Sequence, residues 1–125
     1  MTKLQLRVTV HAALALATVV AAAKIALPKP AVPVEANGIR YSADCDGRDQ
    51  YVVATDIASG KQLWKVKVFH TYIKFWIEED VQWVFITDLK LVDSSLFVRD
   101  GKARCYAVDI NSHRVRKAPC SAAFG

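Results

Sequence analysis

The sequence predicts an all-β fold, an antiparallel meander of about eight short strands behind an N-terminal signal helix. Three observations carry that prediction. From Val34 to Ala118 the apolar residues alternate or come in short runs, and no stretch keeps a helical period. Turn signals recur every ~8–12 residues, the spacing of a β-meander. The clearest are Asn37-Gly38, Gly60, Asp93-Ser94-Ser95, Asp100-Gly101 and Asn111-Ser112. Between them lie β-branched and aromatic residues, which fit a pleated, half-buried surface.

The chain has 125 residues, enough for one small domain. Lys3 and Arg7 make a short positive start, and a mostly apolar stretch from Val8 to Ala23 follows, broken by Thr9, His11 and Thr18. It ends in Ala21-Ala22-Ala23, the small-residue pattern that a signal peptidase accepts. Residues 1–23 therefore read as a secretory signal peptide, with an uncleaved membrane anchor as the alternative. The protein is expected to be periplasmic or secreted, and to keep no stable membrane span once the signal is removed. Pro28, Pro30 and Pro33 then fix residues 24–33 as an extended linker.

The folded unit spans 34–118. Asn37-Gly38 separates Val34–Ala36 from Ile39–Tyr41 and is the strongest two-residue hairpin signal. Asp44 to Asp49 is a polar loop, and Tyr51–Thr55 a strand. Gly60 turns the chain into Lys61–Phe69, where Leu63, Val66 and Val68 alternate with lysines. After an aromatic stretch and the acidic triplet Glu78-Glu79-Asp80, Val81–Val92 reads as a strand with Trp83, Phe85, Thr87, Leu89 and Leu91 on one face. Leu96–Arg99, Ala103–Ile110 and a short strand from Val115 complete the count. Residues 119–125 read as a flexible tail.

Net charge and cysteines narrow the function. Loss of residues 1–23 takes Lys3 and Arg7 from the 17 basic residues and none of the 12 acids, leaving 15 against 12, or +3. The charges are interleaved, so no basic face for nucleic acid is expected. Cys45, Cys105 and Cys120 would meet an oxidising compartment. Three cysteines allow one bridge, and Cys120 is expected to pair with Cys45 or Cys105, stabilising by about 2–4 kcal/mol.

Two segments echo each other. Ala54-Thr55-Asp56-Ile57-Ala58-Ser59-Gly60-Lys61 aligns with Ala107-Val108-Asp109-Ile110-Asn111-Ser112-His113-Arg114. An Asp at the start of such a turn accepts backbone N–H groups, and Ser does so more weakly. His113 stands where the first copy has Gly60, which predicts a strained turn or one of another type. Ala54, Asp56, Ser59, Gly60 and Trp64 resemble the hairpin of pyrroloquinoline-quinone-type β-propeller repeats, and Ala107, Asp109 and Ser112 match it more sparsely. The resemblance covers about a quarter of the chain, and complete propellers need several blades. It implies no activity and no quinone cofactor. With it, the architectures open to the chain are a small sandwich, a partly open barrel, or one to two propeller-like blades.

No catalytic constellation, cofactor motif or metal-ligand spacing is evident. His70 lies among aromatics and His113 at a turn. Asp44, Asp46 and Asp49 crowd one loop, but no glutamate closes a calcium shell. The aromatic group Phe69, Tyr72, Phe75, Trp76 and Trp83 exceeds what a small core easily hides; it reads as core or, in the alternative, as an exposed surface for a protein or glycan partner, with Glu78–Asp80 as its polar rim. The expected function is an exported, non-enzymatic binding or structural module of the cell envelope. The alternatives are a small metal-dependent or hydrolytic enzyme at the Asp44–Asp49 loop with His70, or an inhibitor of an extracellular enzyme.

Overall fold

The computed structural model describes residues 29–125. The expected signal peptide, 1–23, and residues 24–28 of the expected linker lie outside the described residues. Among the described residues, eight strands form two four-stranded antiparallel sheets. The first contains β1 (Val34–Ala36), β2 (Ile39–Cys45), β3 (Asp49–Asp56) and β4 (Gln62–His70). The second contains β5 (Ile86–Val92), β6 (Ser95–Asp100), β7 (Cys105–Asp109) and β8 (Val115–Ala118). In each sheet the spatial order is the chain order, and among the described residues no barrel closes.

The core lies between the sheets. Tyr41, Val52, Ala54 and Val68 come from the first, and Ile86, Leu96, Val98, Tyr106 and Val108 from the second. Two ring stacks cross the interface: Phe69 on Tyr106 with centroids 5.2 Å apart, and Trp64 on His113 at 4.3 Å.

The sheets are copies of one plan. The β1–β2 turn has Asn37 at φ 52°, and the β5–β6 turn has Asp93 at φ 54°. Tyr41 pairs with Ala54 in the first sheet, and Phe97 with Ala107 in the second. Yet the equivalent faces do different work. Tyr41 and Ala54 face the core between the sheets, whereas Phe97 and Ala107 belong to a second cluster with Ala123. The sheets therefore stack front to back, each using the opposite side of the shared plan.

The echoed turns are also one structure. Asp56 N–H donates to Lys61 O and Gly60 N–H to Asp56 O; Asp109 N–H donates to Arg114 O and His113 N–H to Asp109 O. His113 takes Gly60's left-handed seat, with φ 65° against 74°. The second turn is thus of the same type as the first, and the Trp64 stack offsets its backbone strain.

Three local expectations change. Asp100-Gly101, in sequence a two-residue hairpin signal, is instead part of a longer connection: β6 ends at Asp100 and β7 begins at Cys105. The buried Asp100 carboxylate accepts the N–H groups of Lys102 and Arg104, at 2.8 and 3.0 Å, and so organises a wider loop with Ala103 left-handed at φ 60°. The strand expected from Val81 begins at Ile86, after a 3-10 turn at Asp80–Gln82. A bulge between Ile86 and Asp88 shifts its register, which lets Ile86, Leu89 and Leu91 all meet the core despite mixed parity. Residues 119–125, read from sequence as a flexible tail, pack back on the second sheet. Cys105–Cys120 is a disulfide, Ala123 is buried beside Phe97 and Ala107, and Lys90 Nζ donates to Ala123 O at 2.9 Å.

Candidate functional site

The connection between the sheets, residues 71–85, carries most of the aromatic group. It splits that group in two. Phe69 and Trp83 serve packing. Phe69 stacks on Tyr106, and Trp83 lies so close over Gly47 that an added Cβ there would be 3.0 Å from the indole. Tyr72, Phe75 and Trp76 instead face solvent, at 86, 90 and 67% exposure. Phe75 and Trp76 meet edge to face at 5.0 Å, and Tyr72 meets the His70 ring edge-on at 4.9 Å. Ile77 and Val81 extend this apolar surface. Neither stands out in the sequence: Val81 is at the start of the expected strand, and Ile77 is a lone aliphatic beside the acidic triplet.

The exposed crown stands on a braced loop. The Gln82 amide accepts from Lys74 N–H at 2.8 Å and donates to the carbonyls of Lys74, Ile77 and Glu78 at 3.0, 2.9 and 3.2 Å. Arg48 donates two hydrogen bonds to Glu79, at 2.9 and 2.7 Å, and Trp83 Nε1 donates a third at 3.1 Å. These donors, Arg48 first and Trp83 next, hold the Glu79 carboxyl down at about 2. The acidic triplet is therefore not a uniform rim. Glu79 turns inward as a brace, while Glu78 and Asp80 remain exposed. No local sequence signal marks the Arg48–Glu79 pair, whose members are 31 residues apart.

The remaining candidates have structural work. Asp46 accepts the Asp49 N–H at 2.9 Å and the Tyr51 hydroxyl at 3.3 Å, and Asp44 pairs with Lys65 at 3.1 Å. Asp49 meets His70 Nδ1 at 2.5 Å, and this contact, ahead of Lys67, holds its carboxyl below the usual range. Among the described residues, no group of three His, Cys, Asp or Glu side chains is placed to hold a metal ion. Asp56 accepts the Ser59 hydroxyl at 2.6 Å and its N–H at 3.0 Å, and Asp109 accepts the Ser112 and Asn111 N–H groups. Both carboxyls are lowered by those bonds. Gly60 and Trp64 complete the first of these turns and its stack on His113.

No protein-family model matches the chain, and no curated protein is significantly similar to it. Among the described residues, no helix is long and apolar enough to cross a membrane.

Proposed function

We propose that the protein is an exported, non-enzymatic binding module of the cell envelope that docks a protein partner on the Tyr72–Phe75–Trp76 crown. One observation carries this reading: three aromatic rings face solvent on a loop held by the Gln82 and Glu79 hydrogen bonds. Large rings that are already ordered lose little entropy on binding, and aromatic anchors within a polar rim are the usual centre of a protein interface. Lys74, Glu78 and Asp80 supply that rim. The signal-like start and the Cys105–Cys120 bridge support a periplasmic or secreted location. The matched turns and front-to-back stacking support reading the sheets as two propeller-like blades.

The test is a photo-crosslinking phenylalanine analogue at position 75, with the same analogue at exposed Ile57 as control, in envelope-bearing cells. A discrete protein adduct from position 75 alone, abolished by Trp76→Ala with the melting temperature unchanged, is the expected result. Adducts equal at both positions, or crosslinks only to glycan, would overturn the protein-docking reading.

A further inference from the structure

We infer that the cleft between the sheets, at the end away from the echoed turns, binds a small monocarboxylate with an apolar body. A half-open cavity of about 230 Å³ lies there. Ala31, Ala43, Phe85 and Ile86 give it apolar walls, and Lys29, Asp44 and Cys45 stand among its lining residues. Gln50 also lines it. That side chain is 1% exposed, and among the described residues its Nε2 has no hydrogen-bond partner.

An unsatisfied buried amide is uncommon, because such a group gives up its hydrogen bonds to water and gains none in return. Register explains how it comes to line a cavity. Gln50 pairs directly with Cys45 across β2 and β3, so the two side chains leave the sheet on the same face. Ala43, paired with Val52, is two residues further along that face and is too small to fill the space. The result is an apolar chamber with one hydrogen-bond donor inside it. Asp44 is held by Lys65 at 3.1 Å, while Lys29 brings a cation to the lining.

These features define the ligand. An engineered cavity of about 150 Å³ suffices for a benzene ring, so this one admits a ring or short chain with a small substituent. The amide N–H calls for an acceptor oxygen, and Lys29 favours a charged one. Cys45 carries an exposed thiol outside the Cys105–Cys120 bridge and reports on occupancy. None of these residues belongs to the aromatic crown, so the inference stands apart from the docking reading.

The test titrates the full chain with phenylacetate, followed by nitrogen–proton correlation spectra and by the rate at which iodoacetamide alkylates Cys45. The Gln50 side-chain amide and the Ala43 and Ile86 backbone signals should shift together to saturation, and alkylation should slow severalfold. Gln50→Leu keeps bulk but removes the donor, and should weaken binding about tenfold or more, the range for one hydrogen bond to a charged group. Lys29→Ala, at an exposed position, should weaken phenylacetate but leave phenylacetamide unchanged. Absence of saturable shifts would overturn the inference, as would equal affinity in a folded Gln50→Leu or equal loss of both ligands in Lys29→Ala.

Discussion

The first and second sheets share strand order, the geometry of their first and third turns and the register of their central strand pairs, yet bury their equivalent residues against different neighbours. Tyr41 and Ala54 pack on the second sheet, while their counterparts Phe97 and Ala107 pack under the C-terminal segment at Ala123 and Phe124. Front-to-back stacking leaves one unused face at each end of such a pair. On the first sheet the unused face holds Arg40, Ser42, Val53 and Lys65, and stays open to water as a largely polar surface. On the second it is apolar and is closed by the bridged tail. A repeat stack needs end caps for this reason, since an uncapped apolar face would go on adding units. The comparison also explains the strand patterns. Buried and half-buried residues alternate along β3, which has one wet face, whereas four consecutive residues of β7 are buried, because both its faces are covered.

The largest effects should come from the shared residues. Tyr41→Ala is expected to destabilise by about 3–5 kcal/mol, the range for removing a large aromatic from a packed core. Phe97→Ala should cost at least about 1 kcal/mol less, because a short tail can settle into the gap where a whole sheet cannot. Urea denaturation of the two variants measures both; equal losses would mean that the tail packs as rigidly as a sheet.

Next comes the cap itself. The bridge closes a span of 15 residues, so Cys120→Ser should lose about 3 kcal/mol. Freed of its tail, the Phe97 face should also bind a hydrophobic dye and promote self-association, readable by light scattering. A variant that lost stability but stayed monomeric and dye-silent would break the cap interpretation.

The paired turns give a finer contrast. Gly60→Ala places its Cβ in open space, so its loss of about 1–2 kcal/mol is backbone strain alone. His113→Gly relieves the same strain but forfeits the Trp64 stack, so stability should stay within about 0.5 kcal/mol of wild type. With Trp64→Leu as background, the same change should become stabilising by about 1 kcal/mol, since no stack is then lost.

The smallest effect concerns the link between the sheets. The Glu79 carboxyl is lowered from 4.5 to about 2 in the folded chain. A lowered carboxyl contributes stability that is complete above its unfolded value and is lost as pH falls through the folded one. Trp83 fluorescence should therefore hold steady to about pH 4 and change as pH falls toward 2. Glu79→Gln should remove that titration while leaving the sheets folded.

Much of this fold was legible in the chain, because its signals are local. Asn37-Gly38 adopts positive φ at both positions, and an Asp three residues before a Ser builds the same turn twice, whatever surrounds it. The strand alternation of β3 and β4 follows from period two alone. The candidate site was legible only as a group of aromatics. Which rings would be buried depended on partners far along the chain: Tyr106 covers Phe69 and Gly47 lies under Trp83, while Phe75 stays 90% exposed.

The sequence by itself determined the all-β class, most of the turns and the echo at Asp56 and Asp109, since each rests on contacts within a few residues. Tertiary structure decided the front-to-back stacking, the choice of Cys105 as partner to Cys120, the Arg48–Glu79 brace and the unfilled space beside Gln50. These depend on which faces meet, and that is set by the summed burial of both sheets rather than by any local pattern.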